Sequence, residues 1–184
     1  MIVAIEGEIV AKEPSYCDLS TASGVTYRLF ISLNTYAALD KPRARLLASL
    51  VLREDSATLY GFSGEAERAL FEALIKVSGI GPKSATAILS TFTPEQFAEA
   101  IANGDERLLT KAPGVGKKSA GLMIVQLGGN LEKIRGGDSA AGKAAQALEA
   151  LGFNPREITR ALAKCASSEV SELVKEALKA LKKL

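Results

Sequence analysis

The sequence contains no histidine and no tryptophan, only two cysteines, and no long uncharged apolar run. Without histidine, the commonest general base and the commonest metal ligand are missing. Cys17 and Cys165 lie far apart, so no Cys/His cluster exists to hold zinc. Two isolated cysteines read as small buried hydrophobes in a protein of a reducing compartment. No segment is apolar for long enough to cross a bilayer, so no membrane partner is expected. The start, Met1-Ile2-Val3-Ala4-Ile5-Glu6, lacks a basic region followed by a long apolar run, which predicts no signal peptide and a cytoplasmic location. No Gly-x-x-x-x-Gly-Lys-Ser/Thr loop occurs, so the chain is not expected to hydrolyse ATP itself. Aromatics are 5 % of residues, and cores must be built from Ala, Leu, Ile and Val.

What is present is enough for two or three small domains: 184 residues, 47 % of them hydrophobic, with a net charge of +2. Residues 1–63 carry 6 basic and 7 acidic side chains, residues 64–134 carry 8 and 8, and residues 135–184 carry 9 and 6. Bulk charge therefore gives no case for nucleic acid, and any such case must rest on placement.

Residues 1–62 read as β structure. Val25, Tyr27, Leu29 and Ile31 alternate with polar or small residues, and Leu46–Leu52 and Ala57–Phe62 are apolar runs separated by the turn sequence Arg53-Glu54-Asp55-Ser56. About five short strands in this length predict a small barrel of the oligonucleotide-binding (OB) type. At Gly64 the apolar period becomes helical: Ala66, Ala69-Leu70, Ala73-Leu74, Val77. Thr93-Pro94-Glu95-Gln96 is a helix start and Asn103-Gly104 a helix stop. Glycine-rich residues 135–141 read as a linker. Residues 142–184 read as three short helices, the last with an apolar stripe of Val170, Leu173-Val174, Ala177-Leu178 and Leu181.

The strongest feature is an internal repeat. Leu74-Ile75-Lys76-Val77-Ser78-Gly79-Ile80-Gly81-Pro82-Lys83-Ser84-Ala85 matches Leu109-Thr110-Lys111-Ala112-Pro113-Gly114-Val115-Gly116-Lys117-Lys118-Ser119-Ala120, 35 residues later, with Lys, Gly, Gly, Lys, Ser and Ala in register. Each copy reads as a helix end, a Gly-apolar-Gly turn and a new helix. Glycines permit unusual backbone angles and close approach, the central Ile80 or Val115 plugs the core, and the new helix opens with free N–H groups and a positive dipole end. Lys83, Lys117 and Lys118 stand beside that anion site, an unfavourable place for cations unless an anion is present. A DNA phosphate fits, and such a contact carries no base information. The unit resembles the helix–hairpin–helix DNA-binding motif, with Gly79, Gly81, Lys83, Ser84, Gly114, Gly116, Lys117, Lys118 and Ser119 as the candidate binding residues.

Motifs of this kind occur in glycosylases, nucleases, ligases and non-catalytic binders. For a glycosylase, Lys118 stands at the place of the attacking lysine, but the only Asp at a suitable distance, Asp138, lies in the linker without an apolar lead-in. For a nuclease, Glu54-Asp55 is the most noticeable acidic pair, yet neighbouring strand residues face opposite ways and make a poor metal site. No catalytic residue, metal or cofactor is therefore assigned. A generic backbone-binding tether for another repair enzyme remains as the alternative.

Taken together, Arg53-Glu54-Asp55, Leu59-Tyr60-Gly61-Phe62, the two hairpin segments, Ile124-Val125-Gln126-Leu127, and Gly24 and Tyr27 make the whole chain resemble the RuvA family of Holliday-junction-recognising subunits. The resemblance implies an α+β multidomain fold: an N-terminal OB-fold barrel (1–63), a central helical domain with tandem helix–hairpin–helix motifs (64–134), the linker and a C-terminal three-helix bundle (142–184). It implies a homotetramer, single or paired face to face as an octamer, that holds four-way junction DNA open and flat, with Glu54 and Asp55 as an acidic pin at the crossover. It implies a RuvB-type hexameric ATPase and a RuvC-type resolvase as partners, the former contacted by Leu148, Leu151, Phe153 and Leu178, each of which reads equally well as core of the bundle. One position departs from the family pattern: Gly121-Leu122 follow Ala120 where the family has Glu-Arg, so an expected phosphate-contacting arginine is absent, with Lys111 or Lys117 left to supply that contact.

Overall fold

The computed structural model describes residues 1–129, 140–162, 165, 167 and 169–181. The predicted linker at 135–141, including Asp138, lies almost wholly outside the described residues. Its last two positions do not belong to it, because a helix already begins at Ala140.

Five strands form a closed barrel: β1 (Ala4–Glu13), β2 (Tyr16–Ser20), β3 (Thr26–Phe30), β4 (Arg43–Leu52) and β5 (Ala57–Phe62). Their order around the barrel is β1-β2-β3-β5-β4, antiparallel throughout except for the parallel β3–β5 pair. Burial alternates along β2 and the first half of β1, and Ile5, Cys17, Leu19, Leu29 and Leu46 fill the interior. Closure is tight: a Cβ at Gly7 would lie 2.4 Å from the Ser20 carbonyl oxygen, so only glycine lets β1 pass there. Cys17 is fully buried in this core and Cys165 half-buried, both as free thiols. One element was not visible in the sequence pattern. Helix α1 (Leu33–Ala38) bridges β3 and β4, started by Ser32, whose hydroxyl accepts from the Thr35 amide.

From Gly64 the chain is helical. Helices α2 (Glu65–Leu74), α3 (Pro82–Thr91), α4 (Pro94–Ala102), α5 (Glu106–Leu109) and α6 (Lys117–Leu127) enclose a second core. The predicted start of α4 is a full capping box between Thr93 and Gln96. This core is not separate from the barrel. Phe71 packs its ring on Tyr60 and Phe62 of β5, at centroid distances of 4.8 and 5.0 Å.

Polar ties reinforce that packing. The buried Glu67 of α2 accepts from the hydroxyls of Ser32 and Thr35 and from both the amide and hydroxyl of Ser63, the last two at 3.3 Å. The Asn34 amide of α1 donates to the Leu89 and Phe92 carbonyls at the end of α3, at 2.6 and 3.1 Å. The Ser49 hydroxyl of β4 donates to Glu72 at 2.8 Å. A buried carboxyl group is tolerated when its lone pairs are filled in this way, and a filled network fixes one arrangement of its parts.

Helices α7 (Ala140–Ala150), α8 (Pro155–Leu162) and α9 (Val170–Leu181) close a third core of their own, with Leu148, Ile158, Leu173 and Ala177 inside.

Candidate nucleic-acid interface

The sequence repeat is also a backbone repeat. In the first hairpin the amides of Val77, Ile80 and Ala85 donate to the carbonyls of Leu74, Val77 and Gly81. In the second, those of Ala112, Val115 and Ala120 donate to Leu109, Ala112 and Gly116, the same three bonds displaced by 35 residues. Gly79 and Gly114 occupy the left-handed region at φ +84° and +81°, as this turn requires. Ile80 and Val115 point inward and are 4 % and 7 % exposed, which anchors each turn in the helical core.

Gly81 and Gly116 then cap α3 and α6 without any side-chain hydrogen bond to the first turn. The first amides to bond back are those of Ala85 and Ala120, so the preceding amides of Lys83 and Ser84, and of Lys117, Lys118 and Ser119, meet no helical carbonyl. No Cβ would meet protein within 4 Å at Gly81 or Gly116, so this side of each turn is open. The first turns of α3 and α6 contain no acidic residue. Lys76, Lys83, Lys111, Lys117 and Lys118 are exposed, and none of them forms an ion pair among the described residues. Two open amide clusters flanked by unneutralised cations have the chemistry to accept anions. They adjoin each other: a Cβ on Gly114 of the second hairpin would be 3.7 Å from the Ser84 hydroxyl of the first.

Glu54 and Asp55 are exposed at the tip of the β4–β5 hairpin, which closes with the Arg53 amide donating to the Ser56 carbonyl at 2.8 Å. Neither carboxylate is ion-paired among the described residues, and no group of three metal-ligating side chains occurs among them. The tip and the first hairpin therefore hang from one frame, the tip through β5 and Tyr60, the hairpin through α2 and Phe71. At the departure from the family pattern, Leu122 is half-buried against the helical core, and a Cβ on Gly121 would come 3.5 Å from a Glu106 carboxyl oxygen.

In the tail, Leu148 is fully buried inside the bundle, which favours core over partner contact for its side chain. Leu151 is 62 % exposed, while Phe153 and Leu178 are half-buried against the bundle core. Among the described residues no helix is long and apolar enough to cross a membrane. Tyr60 and Arg53 line a groove beside the first hairpin. Only the strand pairing brings them there, and no local pattern signals it.

Comparison with known proteins assigns each part. Residues 1–61 match the RuvA N terminal domain, residues 71–128 the SAM-like helix-hairpin-helix tandem, and residues 140–182 the RuvA C-terminal domain. Among curated relatives, a Wolinella succinogenes protein is 44 % identical over the full length of both chains. One from Sulfurimonas denitrificans is 45 % identical over 98 % of each, and one from Campylobacter hominis 43 % identical over 98 % of this chain and all of the relative. All three bear the name Holliday junction branch migration complex subunit RuvA.

Proposed function

The chain belongs to the RuvA family, and from that premise we propose that it binds Holliday junction DNA by structure rather than by base sequence, as the junction-recognising subunit of a branch migration complex in recombination and repair. The observation that carries this is the pair of open, lysine-flanked amide clusters with identical backbone bonding, adjoining each other on one surface. Each would hold a phosphate of a duplex arm. Such sites are weak and carry no sequence information singly, and they become selective when several must be filled together. In a homotetramer, or two face to face, eight hairpins per tetramer would grip four arms, a set only a four-way junction offers.

The acidic tips, Glu54 and Asp55 from each protomer, would gather at the four-fold axis. Their repulsion of phosphate would exclude continuous duplex there and help part the exchanging strands. The chain would be the non-catalytic, cytoplasmic member of its complex. ATP hydrolysis would lie in a RuvB-type hexameric motor docked on the tail (142–184) through Leu151, Phe153 and Leu178, and strand cleavage in a RuvC-type resolvase. The barrel (1–63) and hairpin domain (64–134) would act as one DNA-holding unit. The missing arginine at Leu122 would leave Lys111 and Lys117 to supply contact with that arm.

A gel-shift competition between a four-way junction and linear duplex of equal length tests this reading. The junction should win by orders of magnitude. Equal competition would reduce the protein to a generic backbone-binding tether.

A further inference from the structure

A groove of about 650 Å³ runs between the acidic hairpin and the first glycine hairpin. One side is Phe30 of β3, with Tyr60 of β5 and the hairpin stem residues Arg53 and Ser56. The other is Gly81 to Ser84 at the start of α3. Its size is that of a small-molecule pocket. Its place is informative as well. OB barrels take oligonucleotides on the face of strands 2 and 3 and between the loops joining strands 1 to 2 and 4 to 5. Here the second of those loops is the acidic tip, and Ser15 in the first also lines the groove.

We propose that this groove holds one unpaired nucleotide of the junction at the crossover, its base against Phe30 and Tyr60 and its phosphate between Arg53 and Lys83. Four observations carry the assignment. Phe30 is 40 % exposed, an unusual position for a large aromatic, and its ring lies 6.0 Å from that of Tyr60 at 39°, forming an angled apolar wall. Base–aromatic stacking tolerates any sequence, which suits a crossover that moves.

Second, Tyr60 is only 8 % exposed and its hydroxyl has no protein hydrogen bond among the described residues. Because no fully buried side-chain polar atom lacks a partner among those residues, that hydroxyl keeps some exposure, on a residue that lines the groove. Third, Arg53 and Lys83 carry no ion pair among the described residues. The contrast lies on the neighbouring outer face of β2 and β3, where Arg28 is already held by both Asp18 oxygens at 2.8 Å and lies over the Tyr16 ring at 3.9 Å. The two cations that line the groove are both left for an anion. Fourth, the groove is lined on one side by Lys83 and Ser84, whose amides are open, and on the other by Arg53 and Ser56, which flank the acidic tip. A strand running from the hairpin to the tip would meet it.

The inference rests on the junction reading above, and its test separates the two. Parent and Phe30→Ala proteins, matched by circular dichroism and sedimentation, are titrated with an intact junction and with one whose crossover nucleotides are abasic. The abasic junction should bind the parent about tenfold more weakly, and Phe30→Ala should bind the intact junction more weakly by a similar factor. The two changes together should cost little more than either alone, since both remove the same stacking. Tyr60→Phe keeps the ring and serves if Phe30→Ala does not fold. It should lose affinity severalfold on the intact junction and nothing on the abasic one. Absent or fully multiplicative losses, with junction preference over duplex retained, overturn the groove alone. Loss of that preference in the parent overturns the junction reading and the groove with it. A changed oligomeric mass in Phe30→Ala marks the groove as an interface between copies and overturns the proposal.

Discussion

The two glycines of each hairpin should fail in opposite ways when replaced by alanine. Gly79 and Gly114 sit at φ +84° and +81°, where an L side chain crowds its own backbone. Nothing lies within 4 Å of a Cβ on Gly79, and only the Ser84 hydroxyl, at 3.7 Å, near one on Gly114, so packing adds no penalty. The cost is conformational alone, about 1–2 kcal/mol each, which lowers the melting temperature of a chain this long by about 2–8 °C. Gly81 and Gly116 sit at φ −90° and −93°, which alanine adopts freely. There alanine stabilises by about 0.4–1 kcal/mol through the unfolded chain, and loses a similar amount because glycine is the better N-cap. Thermal stability should therefore hardly move.

DNA binding should move at those two positions. The added methyl projects to the open side of the turn, where a phosphate must approach the amides of Lys83 and Ser84 or of Lys117 to Ser119. Holding the phosphate back weakens charge-assisted hydrogen bonds worth about 1.5–3 kcal/mol, so a loss of about 1–2 kcal/mol per site is expected, multiplied across linked protomers. Thermal denaturation and junction titration on the four single variants provide the check. Parent affinity in both Gly81→Ala and Gly116→Ala would refute the phosphate sites. Parent stability in Gly79→Ala would refute the conformational account of the turn.

Replacing Lys117 and Lys118 with alanine should reduce the slope of log affinity against log salt by about 0.9 for each phosphate no longer neutralised; an unchanged slope sinks the hairpin assignment. Glu54→Gln with Asp55→Asn should bind junctions as well or better while altering motor-driven branch migration and discrimination against duplex, and parent behaviour in both assays would refute the acidic pin. Deleting residues 140–184, with the cut placed where α7 begins, should spare junction binding and abolish stimulation of the motor; retained stimulation rules out the tail as its docking site. Arg28, chiefly through its hydrogen bonds, holds Asp18 below the usual carboxylate range. Its stabilisation is complete above the ordinary value of about 3.9 and is lost as pH falls through the lower folded value, so Asp18→Asn should flatten the acid limb of a stability–pH curve, and identical limbs would refute the pairing.

The hairpins were legible in the sequence because their chemistry is local. Turn, plug and helix start all fall within a dozen residues, and the second copy supplies its own control. The barrel was legible through period-2 alternation in β3 and apolar runs in β4 and β5. Helix α1 was not: six residues give no stripe, and Leu33 within it is exposed. The tail shows a different limit. Leu148 and Leu151 share a helical face by spacing, yet one is fully buried and the other 62 % exposed, because α7 stops at Ala150 and the chain turns away at Gly152. Periodicity locates a face without saying where the element ends. Glu67 reads as an ordinary acid in the first turn of α2, since two of its donors, Ser32 and Thr35, stand 35 and 32 residues away and only the closed barrel brings them near.

That hidden network bears on selectivity. On the proposed reading, neither a glycine hairpin nor an acidic tip would recognise a junction by itself: the first would accept phosphate from any duplex, and the second would only repel it. Discrimination requires that the two cannot relax independently. If the barrel could swing away from α2 and α3, a linear duplex would fill the hairpins while the tip moved aside, and the repulsion would cost nothing. Glu67 with its donors, Asn34 at the end of α3, Ser49 with Glu72 and the Tyr60–Phe71–Phe62 stack all oppose that swing. With the distance from tip to hairpin fixed, duplex binding would meet the repulsion in full, whereas a junction opening at its centre would escape it. Selectivity would then arise as much from the penalty imposed on the wrong ligand as from bonds made with the right one.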